Sequence, residues 1–205
     1  MLGIEKEILI LVSRVRCMTE NQFGKVFGTR KKFKKKSFKK TLRKMCNDYT
    51  LRKYPCNINY SGYKDNSYVY YLNGSKQYKG KELIKVVVGS EVAIKLNNNG
   101  YDIKRFYRNI SVGNLKYDLF VEYIDKYGDI KQILIDIKID EKLNTSKYEN
   151  MDEKIKKSTI PFFETPKVLV ITGEEIDDLQ RSRINKLDGE VEIVDIFLNK
   201  LFRYL

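Results

Sequence analysis

The feature that most narrows the fold is a pair of strand patterns, Tyr117 to Asp125 and Asp129 to Asp140, separated only by Lys126-Tyr127-Gly128. So short a connection admits only an antiparallel hairpin, because parallel strands need a crossover of about a dozen residues or more. A glycine at the end of a three-residue loop suits the left-handed residue of a G1 bulge. Asp125 then faces Asp129, and Asp118 lies across from Asp136. One face carries Leu119, Val121, Ile133, Ile135 and Ile137, flanked by Tyr117, Tyr123 and Ile139. The other gathers Asp118, Glu122, Asp136 and Lys138. A slip of one residue would mix the two sets, so the apolar face itself selects the register.

Helix and strand patterns alternate around this hairpin. Lys81 to about Leu96 reads as a helix ended by Asn97-Asn98-Asn99-Gly100, and a strand over Ile103 to Ile110 precedes the hairpin. After it come a helix near Lys147 to Lys157 and the buried-strand run Lys167 to Thr172. A helix near Glu174 to Lys186, a strand near Val191 to Val194 and a terminal helix complete the chain. The order α-β-β-β-α-β-α-β-α predicts an α/β domain over residues 81–205. No internal repeat interrupts it.

Residues 1–78 follow a different plan. Ile4, Ile8, Leu11, Val12 and Val15 form the stripe of a first helix. Thr19-Glu20-Asn21-Gln22 is a capping-box pattern that opens a second, through about Phe27. A third runs from about Ser37 to Asn47, with Phe38, Leu42 and Met45 on one side and Lys39, Lys40, Arg43 and Lys44 largely on the other. Strands over 50–60 and 67–72, with Ser61 to Asn66 as the turn, make this a winged helix-turn-helix. The polar stretch Asn73 to Gly80 is the expected boundary.

Charge separates the two halves as sharply as pattern does. The net charge is +13, yet residues 1–80 hold 19 Lys and Arg against 5 Asp and Glu, and the remainder 21 against 22. From Arg30 to Lys44, ten of fifteen residues are basic, with Phe33 and Phe38 interleaved. Such a run beside a third helix predicts a grip on the phosphates of double-stranded DNA, driven by counterion release. The DNA-contacting residues expected are Lys34, Lys35, Lys36, Lys39, Lys40, Arg43 and Lys44.

The chain has no histidine, which removes Ser-His-Asp hydrolases, His-dependent nickases and nucleases, and His-ligated zinc. There is no P-loop either: Gly74 and Gly80 enclose five residues rather than four, and Lys81 is followed by Glu82. Three cysteines without a C-x-x-C pair suit reduced thiols. No apolar run is long enough to span a bilayer, and the first residues lack a signal-peptide pattern. A cytoplasmic protein without a membrane partner is expected.

The chemistry concentrates on the hairpin. Two carboxylates on adjacent strands repel unless neutralised, and a hard cation such as Mg²⁺ with oxygen ligands would do so. Lys138 projects from the same face as Asp136 and could orient water for attack on phosphorus. This arrangement resembles the PD-(D/E)XK (restriction-endonuclease-like) superfamily, with Tyr117 where its proline often stands. The resemblance implies Asp118 and Asp136 as metal ligands, Lys138 as catalytic lysine and Glu91 as the helix carboxylate.

With a winged helix ahead of it, and Tyr70-Tyr71-Leu72 before a polar hinge, the architecture is similar to the replication-relaxation family of plasmids and conjugative elements. That resemblance implies a DNA-binding protein acting in replication control or DNA mobilisation. A homodimer and contacts with replication or mobilisation proteins would accompany that role. Two other readings stay open here: a Mg²⁺-dependent DNA endonuclease, and a transcriptional regulator.

Overall fold

The computed structural model describes residues 3–28, 35–174, 182 and 191–205, with residues 35–37 as backbone only. It divides into two compact units, Met1–Asn98 and Asn99–Leu205.

In the first unit, α1 (Ile4–Val15) buries Ile8, Val12 and Val15, which share one helical face. Arg16 ends it at φ 75°, its N–H donating to the Val12 carbonyl at 2.8 Å. A strand that the sequence pattern does not predict follows at once: β1 (Cys17–Thr19), wholly buried. Three residues are too few to show a period. Thr19 also caps α2 (Glu20–Phe27) in the expected capping box, its side chain accepting from the Gln22 N–H at 3.2 Å. Then come α3 (Lys35–Asn47), β2 (Leu51–Pro55), β3 (Ile58–Tyr60), β4 (Tyr63–Asp65) and β5 (Tyr68–Leu72).

Strand β5 lies centrally in an antiparallel sheet ordered β1-β5-β2. The stretch expected as one strand breaks at Asn57, which adopts φ 41°. Its second part pairs with β4 in a separate hairpin, Tyr60 facing Tyr63 across Ser61 and Gly62. Both loop residues have positive φ, 44° and 78°, the requirement of a type I′ turn. The turn is therefore two residues long, and half of the expected Ser61–Asn66 turn, Tyr63–Asp65, is strand. Phe23, Phe27 and Phe38 stack in succession at 6.3 Å, and Tyr70 meets Phe23 edge-on at 5.8 Å.

Helix α4 (Gly80–Asn98) belongs to this first unit, so the division falls after Asn98 rather than within 73–80. The reason is burial: Leu83, Val86 and Val87 pack with Cys17, Cys56, Ile58 and Val69. Ser90 donates to the Cys17 carbonyl at 2.8 Å. The polar stretch before α4 is a tied-down surface turn, Asn73 N–H reaching the Thr50 carbonyl and Tyr54 hydroxyl the Tyr78 carbonyl.

The second unit is a mixed α/β structure built on β6 (Asp102–Val112), β7 (Leu115–Ile124), β8 (Ile130–Lys138), β9 (Lys167–Thr172) and β10 (Val191–Asp195). The sheet order is β10-β9-β8-β7-β6, antiparallel from β6 to β8 and parallel from β8 to β10. The β7–β8 register is the one expected, with Leu119 opposite Ile135 and Val121 opposite Ile133. Gly128, at φ 93°, closes its loop, and Asp125 accepts the N–H groups of Tyr127 and Asp129.

Where a helix over 147–157 was expected, the crossover is a 3-10 turn (Thr145–Lys147) followed by α5 (Met151–Lys156). It lays Tyr148 and Met151 against Phe120, Leu134, Val168 and Val170, which occupy the sheet face expected to be polar. That face is therefore a second core. Tyr117 lies in this core as well, not beside Leu119. Asn109 of β6, between the partners of Tyr117 and Leu119, has φ 51°, and a left-handed residue in a strand re-aims its neighbours. The terminal helix reduces to a 3-10 turn, Leu201–Arg203. The helix expected near Glu174 to Lys186 falls almost wholly outside the described residues. No described helix is long and apolar enough to cross a membrane.

Candidate functional site

Three of the four residues assigned to the acidic site come together at the end of the β7–β8 ladder. Pairing stops at Leu119–Ile135, and Asp118 turns its carboxylate to the next strand, accepting the Ile137 N–H at 2.7 Å. Asp136 sits one residue before that amide, only 3% exposed. Lys138 places its ammonium 3.2 Å from Asp136 Oδ2 and 3.4 Å from Glu141.

Two residues that sequence reasoning missed complete the cluster. Lys147 Nζ donates to Asp136 Oδ2 at 2.6 Å, and the Tyr148 hydroxyl donates to the same oxygen at 2.7 Å. Both come from the crossover, where Asn144 caps the 3-10 turn by accepting the Ser146 N–H. Lys154 braces the turn from α5, donating to the Lys147 carbonyl at 3.0 Å. The Lys147 ammonium also lies 4.4 Å from the centre of the Tyr117 ring. No local signal separates Lys147 from the other basic residues of the chain. Its role follows from a crossover that folds back over β8.

The electrostatics follow from burial and charge. Burial pushes the Asp136 carboxyl up, but the Lys147 hydrogen bond and charge, the Tyr148 hydroxyl and Lys138 outweigh it and hold the group below the usual carboxylate range. Burial, with the Asp136 charge behind it, raises Tyr117 and Tyr148 far above an ordinary phenol, so both stay protonated.

The remaining acids lie elsewhere. Glu122 stands further along β7, accepting from Gln132 at 2.8 Å and facing Arg105 at 3.4 Å. Glu91 is in the first unit, where Lys25 at 2.5 Å and Gln22 at 3.2 Å bind it. It ties α4 to α2.

These residues do not fit a divalent cation as they stand. Mg²⁺ demands about six oxygen ligands in near-octahedral array. Asp136 Oδ2 already accepts from the Lys147 ammonium and the Tyr148 phenol, with the Lys138 ammonium paired to it at 3.2 Å. Among the described residues, no three His, Cys, Asp or Glu side chains are grouped so as to hold a metal.

The basic surface lies on α3. Phe38, Leu42 and Met45 are buried, while Lys39, Lys40, Arg43 and Lys44 are exposed. Lys39 pairs with Glu20 at 2.5 Å and Lys44 with Glu5 at 2.7 Å. Glu20 is pushed up by burial, but hydrogen bonds from Lys39 and Tyr70 prevail and lower it. Lys40 and Arg43 have no acidic partner among the described residues. Lys35 and Lys36 begin α3, where only the backbone is described, and Lys34 lies outside the described residues.

No family model matches the chain, and no curated protein matches it. Among solved structures, a repair endonuclease from Pyrococcus abyssi is similar over 62% of this chain and 50% of its own, with 17% identity and a TM-score of 0.33. Protein VC1899 from Vibrio cholerae is similar over 98% of this chain and 49% of its own, with 8% identity and a TM-score of 0.41. Can2 from Sulfobacillus thermosulfidooxidans, solved with cyclic tetra-adenylate, is similar over 98% of this chain and 50% of its own, with 10% identity and a TM-score of 0.38. The chain thus spans about half the length of each. These likenesses are loose, and the fold stands on the strand order and register described above.

Proposed function

We propose that the first unit is a winged helix that grips double-stranded DNA, and that the protein serves a plasmid or other mobile element in replication control or DNA mobilisation. One observation carries the DNA-binding reading: α3 buries its apolar stripe and turns Lys39, Lys40, Arg43 and Lys44 outward together. The antiparallel sheet β1-β5-β2 that accompanies the three helices supports it. Cations held on one rigid face release condensed counterions when they meet phosphates, which gives affinity with little sequence choice. Lys39 and Lys44 are shared with Glu20 and Glu5, which leaves Lys40 and Arg43 as the most available cations of the described face of α3.

Fluorescence anisotropy with a labelled duplex, repeated across salt concentrations, tests this. Affinity is expected to fall steeply with salt, and Lys40→Ala with Arg43→Ala to flatten the slope by roughly one unit for each phosphate no longer gripped. Failure to bind any duplex in dilute buffer would sink the reading. An unchanged slope would move the grip away from α3.

A second reading, a Mg²⁺-dependent endonuclease, draws on the convergence of Asp118, Asp136 and Lys138 at one end of the hairpin, and requires Lys147 to leave Asp136 so that a cation can enter. Nicking of supercoiled DNA with Mg²⁺ that disappears in Asp136→Ala would establish it. Equal cleavage by both proteins would indicate a contaminant.

A further inference from the structure

The crossover delivers to Asp136 a cation of the protein's own. Asp136 carries one negative charge, and Lys138 and Lys147 set two positive ones against it. The side chains of Lys138 and Lys147 are each only 13% exposed and that of Asp136 4%, so these three charges meet largely away from bulk water. A divalent cation added there would stand beside two ammonium groups, at a depth where water screens their repulsion poorly.

Lys147 is held in place at several points. Asn144 caps its turn, Lys154 holds its carbonyl, and the Tyr117 ring lies beneath its ammonium. Tyr148, the next residue, binds the same carboxylate oxygen and is buried to 1% exposure.

We infer that Lys147 is an internal counter-ion standing where a hairpin of this kind would carry its divalent metal, so that the second unit takes up no Mg²⁺ or Mn²⁺ while Lys147 is bound to Asp136. The inference holds whether or not the first unit binds DNA. It assigns Lys147 a positioning role: it fixes Asp136 and keeps a hard cation out.

The test titrates the full chain with Mn²⁺ and follows free Mn²⁺ by electron paramagnetic resonance, with circular dichroism to check folding. The wild type is expected to show no saturable uptake. Lys147→Met removes the charge and keeps apolar length against Tyr117. It should take up a single Mn²⁺, at least about tenfold more tightly than the limit the titration sets on the wild type, because one unit charge has left the immediate surroundings of the carboxylate. Adding Asp136→Asn should abolish that gain, whereas Lys147→Arg should behave as the wild type. Wild-type uptake of Mn²⁺ that Asp136→Asn removes overturns the inference. So does a folded Lys147→Met protein that gains no uptake. If Lys147→Met does not fold, the titrations of the wild type and of Lys147→Arg still decide, since saturable uptake by either through Asp136 contradicts it.

Discussion

The two units use the same residue type in opposite ways. The first holds 22 Lys and Arg against 7 Asp and Glu within residues 1–98, and Lys39, Lys40, Arg43 and Lys44 of its α3 stay in water. The second is nearly balanced, 18 against 20 over residues 99–205, and draws Lys138 and Lys147 inward around one buried carboxylate. An exposed ammonium keeps its hydration and acts at a distance, in a manner salt can screen. A buried one has given up its hydration and is stable only beside a partner. Lysine count therefore says little about role until burial is known.

The largest expected effect falls on the second unit. Asp136→Ala strands two inward-facing ammonium groups and should cost about 3–5 kcal/mol in denaturant unfolding, the range for breaking a buried ion pair. A loss as small as that of a surface substitution would break the contrast between the units. The same carboxylate predicts an acid transition. Its folded pKa lies below the unfolded value, so its stabilising contribution is complete above the usual carboxylate range and is lost as pH falls through the folded value. Amide exchange across β8 and β9, measured from neutral pH to about 3, should show that loss, and Asp136→Asn should remove the pH dependence.

Next in size is Glu91→Ala, which removes the acceptor of Lys25 and Gln22 between α2 and α4. About 2 kcal/mol is expected, since a charge-assisted buried bond is broken while Lys25 remains half in water. Destabilisation should appear in the first unit. Loss of protection confined to the second unit would overturn the tie described above.

The smallest effects belong to the exposed face of α3. Lys40→Ala with Arg43→Ala should shift unfolding by less than about 0.5 kcal/mol, even as it weakens duplex binding. Glu5→Gln and Glu20→Gln release Lys44 and Lys39, and together should tighten duplex binding by roughly two- to threefold, the scale of exposed ion pairs. Weaker binding in these variants would mean that the acidic partners orient the lysines instead of competing for them.

Much of the second unit is legible in the sequence because its information is local. Lys126-Tyr127-Gly128 dictates the loop, and the alternation of Leu119, Val121, Ile133 and Ile135 leaves one workable register. The Thr19–Gln22 capping box is legible for the same reason. What the pattern does not reveal depends on distant partners. Strand β1 exists because β5 offers it an edge. Helix α4 belongs to the first unit because its apolar side chains meet Cys17, Ile58 and Val69, although polar, glycine-bearing residues precede it. Phe120 and Leu134 sit among the acids of their strands, and only the crossover turns that face into a core.

By itself, then, the sequence determined which side chains share a strand face or a helix stripe, and that the basic charge gathers near one end of the chain. Those properties follow from backbone periods of a few residues and need no distant contact. The tertiary structure decided what each charge does. It gave Glu91 to Lys25, and it brought Lys147 and Tyr148 onto Asp136. Desolvation and close pairing depend on which surfaces meet, and residues far apart in the chain meet only once the whole unit has folded.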